Sequence, residues 1–479
     1  MATIIGRQQE TELLKTIYRR DEAQLVAVYG RRRVGKTFLI RETFGNEFAF
    51  YHTGISPVGM KNTNLLALQL QAFGASLERY GSFHSEPPKD WFAAFDYLRE
   101  LLEQRSSTEK LVVFIDEMPW LDTPRSQFVS AFEFFWNSWG AGQHNLMLIV
   151  CGSATAWIKN KLINAYGGLY NRITAEVQLC PFTLRETEEL LTQHGIHASR
   201  YDIAELYMTV GGIPYYLNYV AAGMSIAQNI DNLFFNKKAP LKDEFDRLFH
   251  SLFSQPENYK AVVRLLSTKH IGFSREEISV NTHIPTGAGL TQILRALEQS
   301  DFIESYNPFG ENKRVCLYRL IDPFCRFYLQ HIEGKKRDEH YWQNNQNLPA
   351  LNSWRGIAFE EICLVHIAQI KRALGIEGVA TEQSAWAMRG TDTQSGMQID
   401  LILSRQDRVV NVCEMKFVSD EFTVTQTYDA TLRQRRTCIT EQIPKKYSVQ
   451  MTLVTTFGVK YGTYSSAFQR VITLNDLFV

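Results

Sequence analysis

Gly30-Arg-Arg-Arg-Val-Gly35-Lys36-Thr37 sets two glycines, a lysine and a hydroxyl residue at the GxxxxGK[ST] spacing. Glycines let backbone N–H groups close around phosphate oxygens, the lysine reaches the β and γ oxygens, and the hydroxyl beside it ligates Mg²⁺. The chemistry implied is the binding of ATP with Mg²⁺, with Gly30, Arg33, Val34, Gly35, Lys36, Thr37 and Phe38 expected around the nucleotide. A second half-site follows in Leu111-Val-Val-Phe-Ile-Asp116-Glu117. An unbroken apolar run reads as a buried parallel strand, and this one ends in two carboxylates at the edge where ligands sit. Asp116 is expected to hold Mg²⁺ through water, and Glu117 to polarise the attacking water. A third run, Leu146 to Cys151, ends in Gly152-Ser153-Ala154-Thr155. Ser153, chosen over Thr155, is the candidate to sense the γ-phosphate; a strand-to-helix cap is the alternative use of that hydroxyl.

A second constellation lies near the C-terminus. Glu360 sits on an amphipathic helical stretch, Gly356 to Val365. Met397 to Leu403, which contains Asp400, alternates like a strand, and Val409 to Phe417 is a further strand carrying Glu414 and Lys416. Side chains two apart on a strand project from one face, and a hairpin brings Asp400 beside them. Asp400 and Glu414 are then expected to hold Mg²⁺ while Lys416 orients water or stabilises charge developing on a phosphate. That is a phosphodiester-cleaving arrangement. Alternating charge on a solvated strand face also yields ExK, so the reading rests on all three segments together. Arg433, Arg435 and Arg436 on the next helix either touch a nucleic-acid backbone or form a solvated face.

Between these sets lie three short helical signals, beginning at Lys260, Ser274 and Gly289; the second opens on a Ser274 to Glu277 capping box. Two alternating segments follow, Phe302 to Tyr306 and Val315 to Leu320, joined by a loop that ends in Lys313-Arg314. Three helices and a hairpin make a winged helix. Such a module either sets its third helix in a major groove, with Lys313 and Arg314 on phosphates, or only relays movement between its neighbours. The third helix carries a single basic residue, Arg295.

The composition supports this division. The chain has 479 residues, 45% hydrophobic and 21% charged, which suits a folded protein of about three domains. Fifty-one basic residues balance 51 acidic ones, so nucleic acid would have to be met by local patches. Seven cysteines (Cys151, Cys180, Cys316, Cys325, Cys363, Cys413 and Cys438) form no CxxC pair. That favours reduced thiols over zinc or a disulfide framework. With no signal-like start and no apolar run approaching roughly 18 residues, a cytoplasmic protein without membrane contact is expected.

These residues resemble the archaeal-type ATPases of the AAA+/STAND class. Ile5-Gly6-Arg7-Gln-Gln-Glu10 looks like the GRxxE segment that precedes the first strand in this group and lies near the base, which implicates Gly6 and Arg7. Tyr170-Asn171-Arg172 stands where relatives carry Gly-Arg, with Asn171 departing from the pattern. The resemblance implies a finger or sensor role for Arg172, and a surface salt bridge is the alternative. Gly211-Gly212-Ile213-Pro214 is similar to the GxP motif of a helical lid, implying that Pro214 packs near the base; by itself it is a helix-ending turn. The run from Tyr318 through Asp322-Pro323 to Phe327 resembles a DP-aromatic signature with a structural role. The C-terminal series resembles the PD-(D/E)XK nucleases, with Glu360 as the acidic helix residue, although Ile399 replaces the proline before Asp400.

The expected fold class is therefore α/β. A P-loop NTPase parallel sheet with a small helical lid (1–235) would precede a winged helix (240–330) and a restriction-endonuclease-like α/β domain (340–479). The resemblance implies ATP and Mg²⁺ as cofactors and DNA as partner through the last two domains. A homo-oligomer follows where Arg172 completes a neighbour's site. The rival functions are an ATP-controlled signalling or assembly switch that binds without cleaving, and a chaperone-like or transport ATPase.

Overall fold

The computed structural model describes residues 3–57, 59–60, 64–105, 109–164, 168–169, 171–253, 255–312, 314–388 and 396–479; Tyr170 and Lys313 lie outside them. The chain divides into two compact units. One comprises Met1–Pro181 with Arg247–Pro256, and the other Phe182–Asp246 with Glu257–Val479.

The first unit is built on five strands: β1 (Gln24–Tyr29), β2 (Phe50–Thr53), β3 (Leu111–Asp116), β4 (Leu146–Gly152) and β5 (Ala175–Gln178). They pair in the order β2-β3-β4-β1-β5, and every pairing is parallel. All residues of β1, β3 and β4 are buried, as strands covered on both faces must be, and this is why they read as unbroken apolar runs. Because the strands run the same way, the loops leaving β1, β3 and β4 fall at one edge, where ligands bind in open α/β sheets. One face carries an aromatic core. Phe73, Trp91, Phe95, Phe128 and Phe132 are at most 2% exposed, and Trp91 meets Phe128 edge-on at 4.9 Å. Each such ring stabilises the layer by roughly 1.5–3 kcal/mol through burial alone.

The second unit begins with helices Leu184–Gln193, capped by the Thr183/Glu186 box, and Arg200–Val210. After helix Pro256–Leu266 come β6 (Phe273–Ser274), helices Arg275–Thr282 and Ala288–Gln299, then β7 (Ile303–Tyr306) and β8 (Leu317–Leu320). These strands form an antiparallel sheet in the order β6-β8-β7. A third sheet contains β9 (Thr381–Met388), β10 (Met397–Arg405), β11 (Val409–Lys416), β12 (Ser448–Thr455) and β13 (Arg470–Thr473), ordered β13-β12-β11-β10-β9. The first three form an antiparallel meander, while β12 and β13 join in parallel after helix Gln426–Gln442.

The fold class is α/β as expected, with a parallel five-stranded sheet followed by further sheets. The helices of 182–235 pack with 257–479 in the second compact unit. A buried ion pair fastens them: Arg355 on helix Pro349–Val365 meets Glu205 on helix Arg200–Val210 at 2.5 Å, each 5% exposed. Asp231 accepts from the backbone N–H groups of Trp342 and Gln343. Among the described residues no helix is long and apolar enough to cross a membrane.

Candidate functional site

The Gly30–Thr37 segment leaves the carboxyl end of β1 and runs into helix Lys36–Phe44. Its opening requires glycine. Gly30 has φ +144°, and a Cβ there would meet the Leu179 carbonyl oxygen at 2.1 Å. The Lys36 ammonium, buried within the loop, donates to the carbonyls of Gly30 (2.8 Å) and Arg31 (3.0 Å) and to Ser153 Oγ (3.1 Å). An ammonium with three nearby acceptors and, among the described residues, no carboxylate on it can exchange them for phosphate oxygens. The helix that begins at Lys36 presents its N-terminal N–H groups to the same space.

Thr37 Oγ1 donates to Asp116 Oδ2 at 2.7 Å, joining the loop to the end of β3. A hydroxyl beside a buried carboxylate is an oxygen donor set that fits a hard cation such as Mg²⁺. Glu117 follows with φ +46°, in the left-handed region where a residue with a Cβ costs about 1–2 kcal/mol. The turn aims both its carboxylate oxygens at Ser153, whose N–H and Oγ donate at 3.0 and 2.5 Å. Ser153 therefore links Lys36 to Glu117. It does not cap the helix Thr155–Ile158, where Ala154 is the cap residue, and Thr155 is fully buried, its hydroxyl without a hydrogen-bond partner among the described residues.

Arg7 donates to the Cys180 and Val34 carbonyls, at 2.5 and 3.4 Å, so the Gly6-Arg7 segment braces the loop from the side of β5. Val34 is buried, Arg33 takes φ +73°, and Phe38 stands 46% exposed on the first turn of the helix. Arg172 does not join this group. It is exposed and precedes β5, where Thr174 bonds to Leu25 at the start of β1. Five residues of strand, at about 3.3 Å each, separate that point from Gly30. Pro214 opens a short helix in the second unit, where the preceding Gly212 accepts from the Phe182 N–H at 2.7 Å.

In the second unit, helix Pro349–Val365 carries Glu360 and strand β10 carries Asp400. Between their carboxylates lies a residue absent from the expected set, His270. Its Nε2 is 2.9 Å from Glu360 Oε2 and 3.7 Å from Asp400 Oδ1. The three ligand atoms lie within 4.8 Å of one another. Burial pulls the imidazole's pKa down, but the Glu360 and Asp400 carboxylates more than offset it, and it ends above the ordinary value. Burial likewise pushes the Glu360 carboxyl up, opposed by His270 and reinforced by Asp400.

Glu414, expected as a metal ligand beside Asp400, lies near the end of β11. The register of β10 on β11 pairs Leu401 with Cys413, the residues that follow Asp400 and precede Glu414. Yet the Glu414 carboxylate is held by the Arg435 guanidinium and accepts from the Tyr428 hydroxyl at 2.8 Å. An arginine and a phenol satisfy it where a cation was expected. Lys416 lies over the Tyr428 ring at 5.7 Å and exerts its charge on Glu360. The arginine cluster is divided: Arg435 turns to Glu414, while Arg433 and Arg436 line a concavity of about 220 Å³ with Asp429 and Tyr464. The sequence offered no sign of His270, which lies in a turn with no motif spacing to Glu360 or Asp400.

Comparison with known proteins bears on the first of these sites. An uncharacterised protein of Methanocaldococcus jannaschii is 22% identical over 427 residues, covering 86% of this chain and 87% of that one. An uncharacterised ATP-binding protein of the same organism is 42% identical over 43 residues, 9% of this chain and 73% of the other. Among solved structures, a Walker-type ATPase of Pyrococcus abyssi aligns at 19% identity with a TM-score of 0.44, covering 68% of this chain and 96% of that one. Residues 5–220 match the family described as an ATPase domain predominantly from Archaea, a span that holds Lys36, Thr37, Asp116, Glu117 and Ser153. Over residues 5–220, then, this chain is similar to that predominantly archaeal family of ATPase domains.

Proposed function

We propose that ATP hydrolysis at the Gly30–Thr37 loop controls a PD-(D/E)XK nuclease-like domain (340–479), which cleaves DNA delivered by a winged helix (240–330). Lys36 exchanges the Gly30 and Arg31 carbonyls for phosphate oxygens. Thr37 and Asp116 would hold Mg²⁺, which when bound offsets the charge on the β and γ phosphates. Glu117, released from Ser153, accepts the proton of the attacking water, and Ser153 takes up the γ-phosphate in its place. Arg172, exposed, is offered to the nucleotide of a second copy in a homo-oligomer. A cytoplasmic location belongs to this reading, the seven cysteines carrying no CxxC spacing.

The observation that carries the nuclease reading is the convergence of Glu360 and Asp400, from a helix and a strand, on one point reached by the charge of Lys416. Incubating the full chain with supercoiled DNA and Mg²⁺ or Mn²⁺ tests it. Nicking that Asp400→Ala and Lys416→Ala abolish, with ATP turnover intact, is the expected result; no cleavage under either metal discards the nuclease. One observation favours a second reading, a switch that binds without cutting: Glu414 is already satisfied by Arg435 and Tyr428.

A further inference from the structure

His270 is presented by a turn fixed on several sides. Gly272 N–H donates to the Lys269 carbonyl at 3.0 Å, closing the turn with His270 and Ile271 at its corners. Gly272 has φ +86°, and a Cβ there would meet the Tyr318 carbonyl oxygen at 2.1 Å, so no other residue fits. The Tyr306 hydroxyl holds the Ile271 carbonyl at 2.7 Å, and Arg326 reaches the Ser267 carbonyl at 3.3 Å. On the acidic side, Arg319 donates to the Asp400 carbonyl at 3.3 Å. The imidazole is thus set between two carboxylates by packing, and its side chain is 11% exposed. Both ring nitrogens are enclosed without an aligned hydrogen-bond partner among the described residues. The 2.9 Å approach to Glu360 is an encounter of charges lacking that alignment. An enclosed imidazole with no well-aligned hydrogen bond is costly unless a lone pair serves something else.

We propose that His270, Glu360 and Asp400 form a three-ligand site for a divalent transition metal, with the imidazole supplied from outside the nuclease-like segment. At metal–ligand distances of about 2.1 Å, neighbouring ligand atoms lie about 3.0 Å apart and opposed ones about 4.2 Å apart. The separations of 2.9 and 3.7 Å approach those values. One nitrogen with two carboxylates favours a transition metal over Mg²⁺, which takes oxygen ligands and keeps its waters. Glu414 is not among the ligands, since Arg435 and Tyr428 occupy its carboxylate. The metal would also tie the turn at Lys269–Gly272 to β10, so that ion occupancy and the placing of the helices before β7 depend on each other. The inference deepens the proposed nuclease function, and its test separates the two.

The test is Mn²⁺ binding to the nucleotide-free full chain, followed by electron paramagnetic resonance. The parent is expected to bind Mn²⁺ with a ¹⁴N coupling from the imidazole, and Mg²⁺ is expected to displace it only in large excess. His270→Gln should abolish the ¹⁴N signal and weaken Mn²⁺ by at least about tenfold, the lower bound seen even for groups that only support a ligand. Circular dichroism and retained ATP turnover confirm that the variant is folded, and Glu360→Gln should weaken the ion without removing the ¹⁴N coupling. Absence of Mn²⁺ binding, or binding that His270→Gln leaves unchanged, overturns the site. If DNA is nicked in that case, the nuclease stands and the ligand set is wrong; a ¹⁴N-coupled ion without nicking keeps the site and discards the nuclease.

Discussion

Arg326 and Glu361 form an ion pair that solvent does not reach, their side chains 2% and 0% exposed. Arg326 also donates to the Leu320 carbonyl at 3.2 Å and the Ser267 carbonyl at 3.3 Å, so one guanidinium fastens helix Pro349–Val365 to β8 and to the chain leading into the His270 turn. Burial pushes the Glu361 carboxyl up to about 7, against the pull of Arg326. Removing one partner leaves the other charge buried alone, so Arg326→Ala is expected to destabilise the protein by about 3–5 kcal/mol. Arg326→Met with Glu361→Leu should lose much less, since neither charge remains. Guanidinium unfolding of both variants checks this, and an Arg326→Ala loss no larger than that of the double variant defeats the argument.

On the function proposed above, Glu117 acts on water and stays outside the grip on phosphate. Its backbone turns at φ +46°, and both carboxylate oxygens accept from Ser153, while Thr37 donates to Asp116. Glu117→Gln is therefore expected to lower ATP turnover by about 10²–10⁴-fold while ATP affinity stays within a few-fold. Lys36→Ala should instead abolish binding. Calorimetry beside a phosphate-release assay distinguishes the two, and equal loss of affinity in both variants would mean that Glu117 belongs to the binding site.

Ser153 touches both Lys36 and Glu117, which a cap would not do. Ser153→Ala leaves the ammonium with its two carbonyl partners but disconnects it from the carboxylate. Turnover should fall by about tenfold or more, the scale of one lost charge-assisted hydrogen bond of about 1.5–3 kcal/mol. Thr155→Val, at a buried hydroxyl outside the network, should leave turnover unchanged. Single-turnover measurement on both variants decides between them; a larger effect at Thr155 would reverse the assignment.

How much of this was legible depends on whether each relationship is local. The segments Leu25–Tyr29, Leu111–Asp116 and Leu146–Cys151 announced their strands because burial on both faces leaves unbroken apolar runs. Parallel pairing then set Lys36, Thr37, Asp116, Glu117 and Ser153 at one edge with no further information needed. Strand alternation likewise put Asp400 and Glu414 on neighbouring strands, but a face does not name a partner. Arg435 and Tyr428 come from a helix whose packing on the sheet the alternation does not describe. His270 was invisible for the same reason: the turn that presents it is held by Tyr306, Gly272 and Arg326 through tertiary contacts. Arg172 could be read as a motif residue but not as a distant one, since its separation from Gly30 follows from Thr174 bonding at the start of β1.

His366 makes the second unit sensitive to acid. It is fully buried, its Nδ1 lies 2.8 Å from the Ile362 carbonyl, and its Nε2 accepts from the Leu184 N–H at 3.0 Å, at the start of helix Leu184–Gln193. The ring must therefore be neutral with its proton on Nδ1; a second proton would oppose the Leu184 N–H. Burial lowers its pKa to about 4, against the smaller raising effects of the Ile362 carbonyl and Glu186. A folded pKa below the unfolded value of about 6.5 means that the unfolded chain takes up the proton first, so stability is present above pH 6.5 and is lost as pH falls toward 4. The window spans about 2.5 pH units, or about 3 kcal/mol. His366→Gln can keep both hydrogen bonds without titrating. Urea unfolding from pH 7.5 to 4 should show the parent losing about 3 kcal/mol more than His366→Gln over that range, while parallel curves would show that His366 carries none of the acid sensitivity.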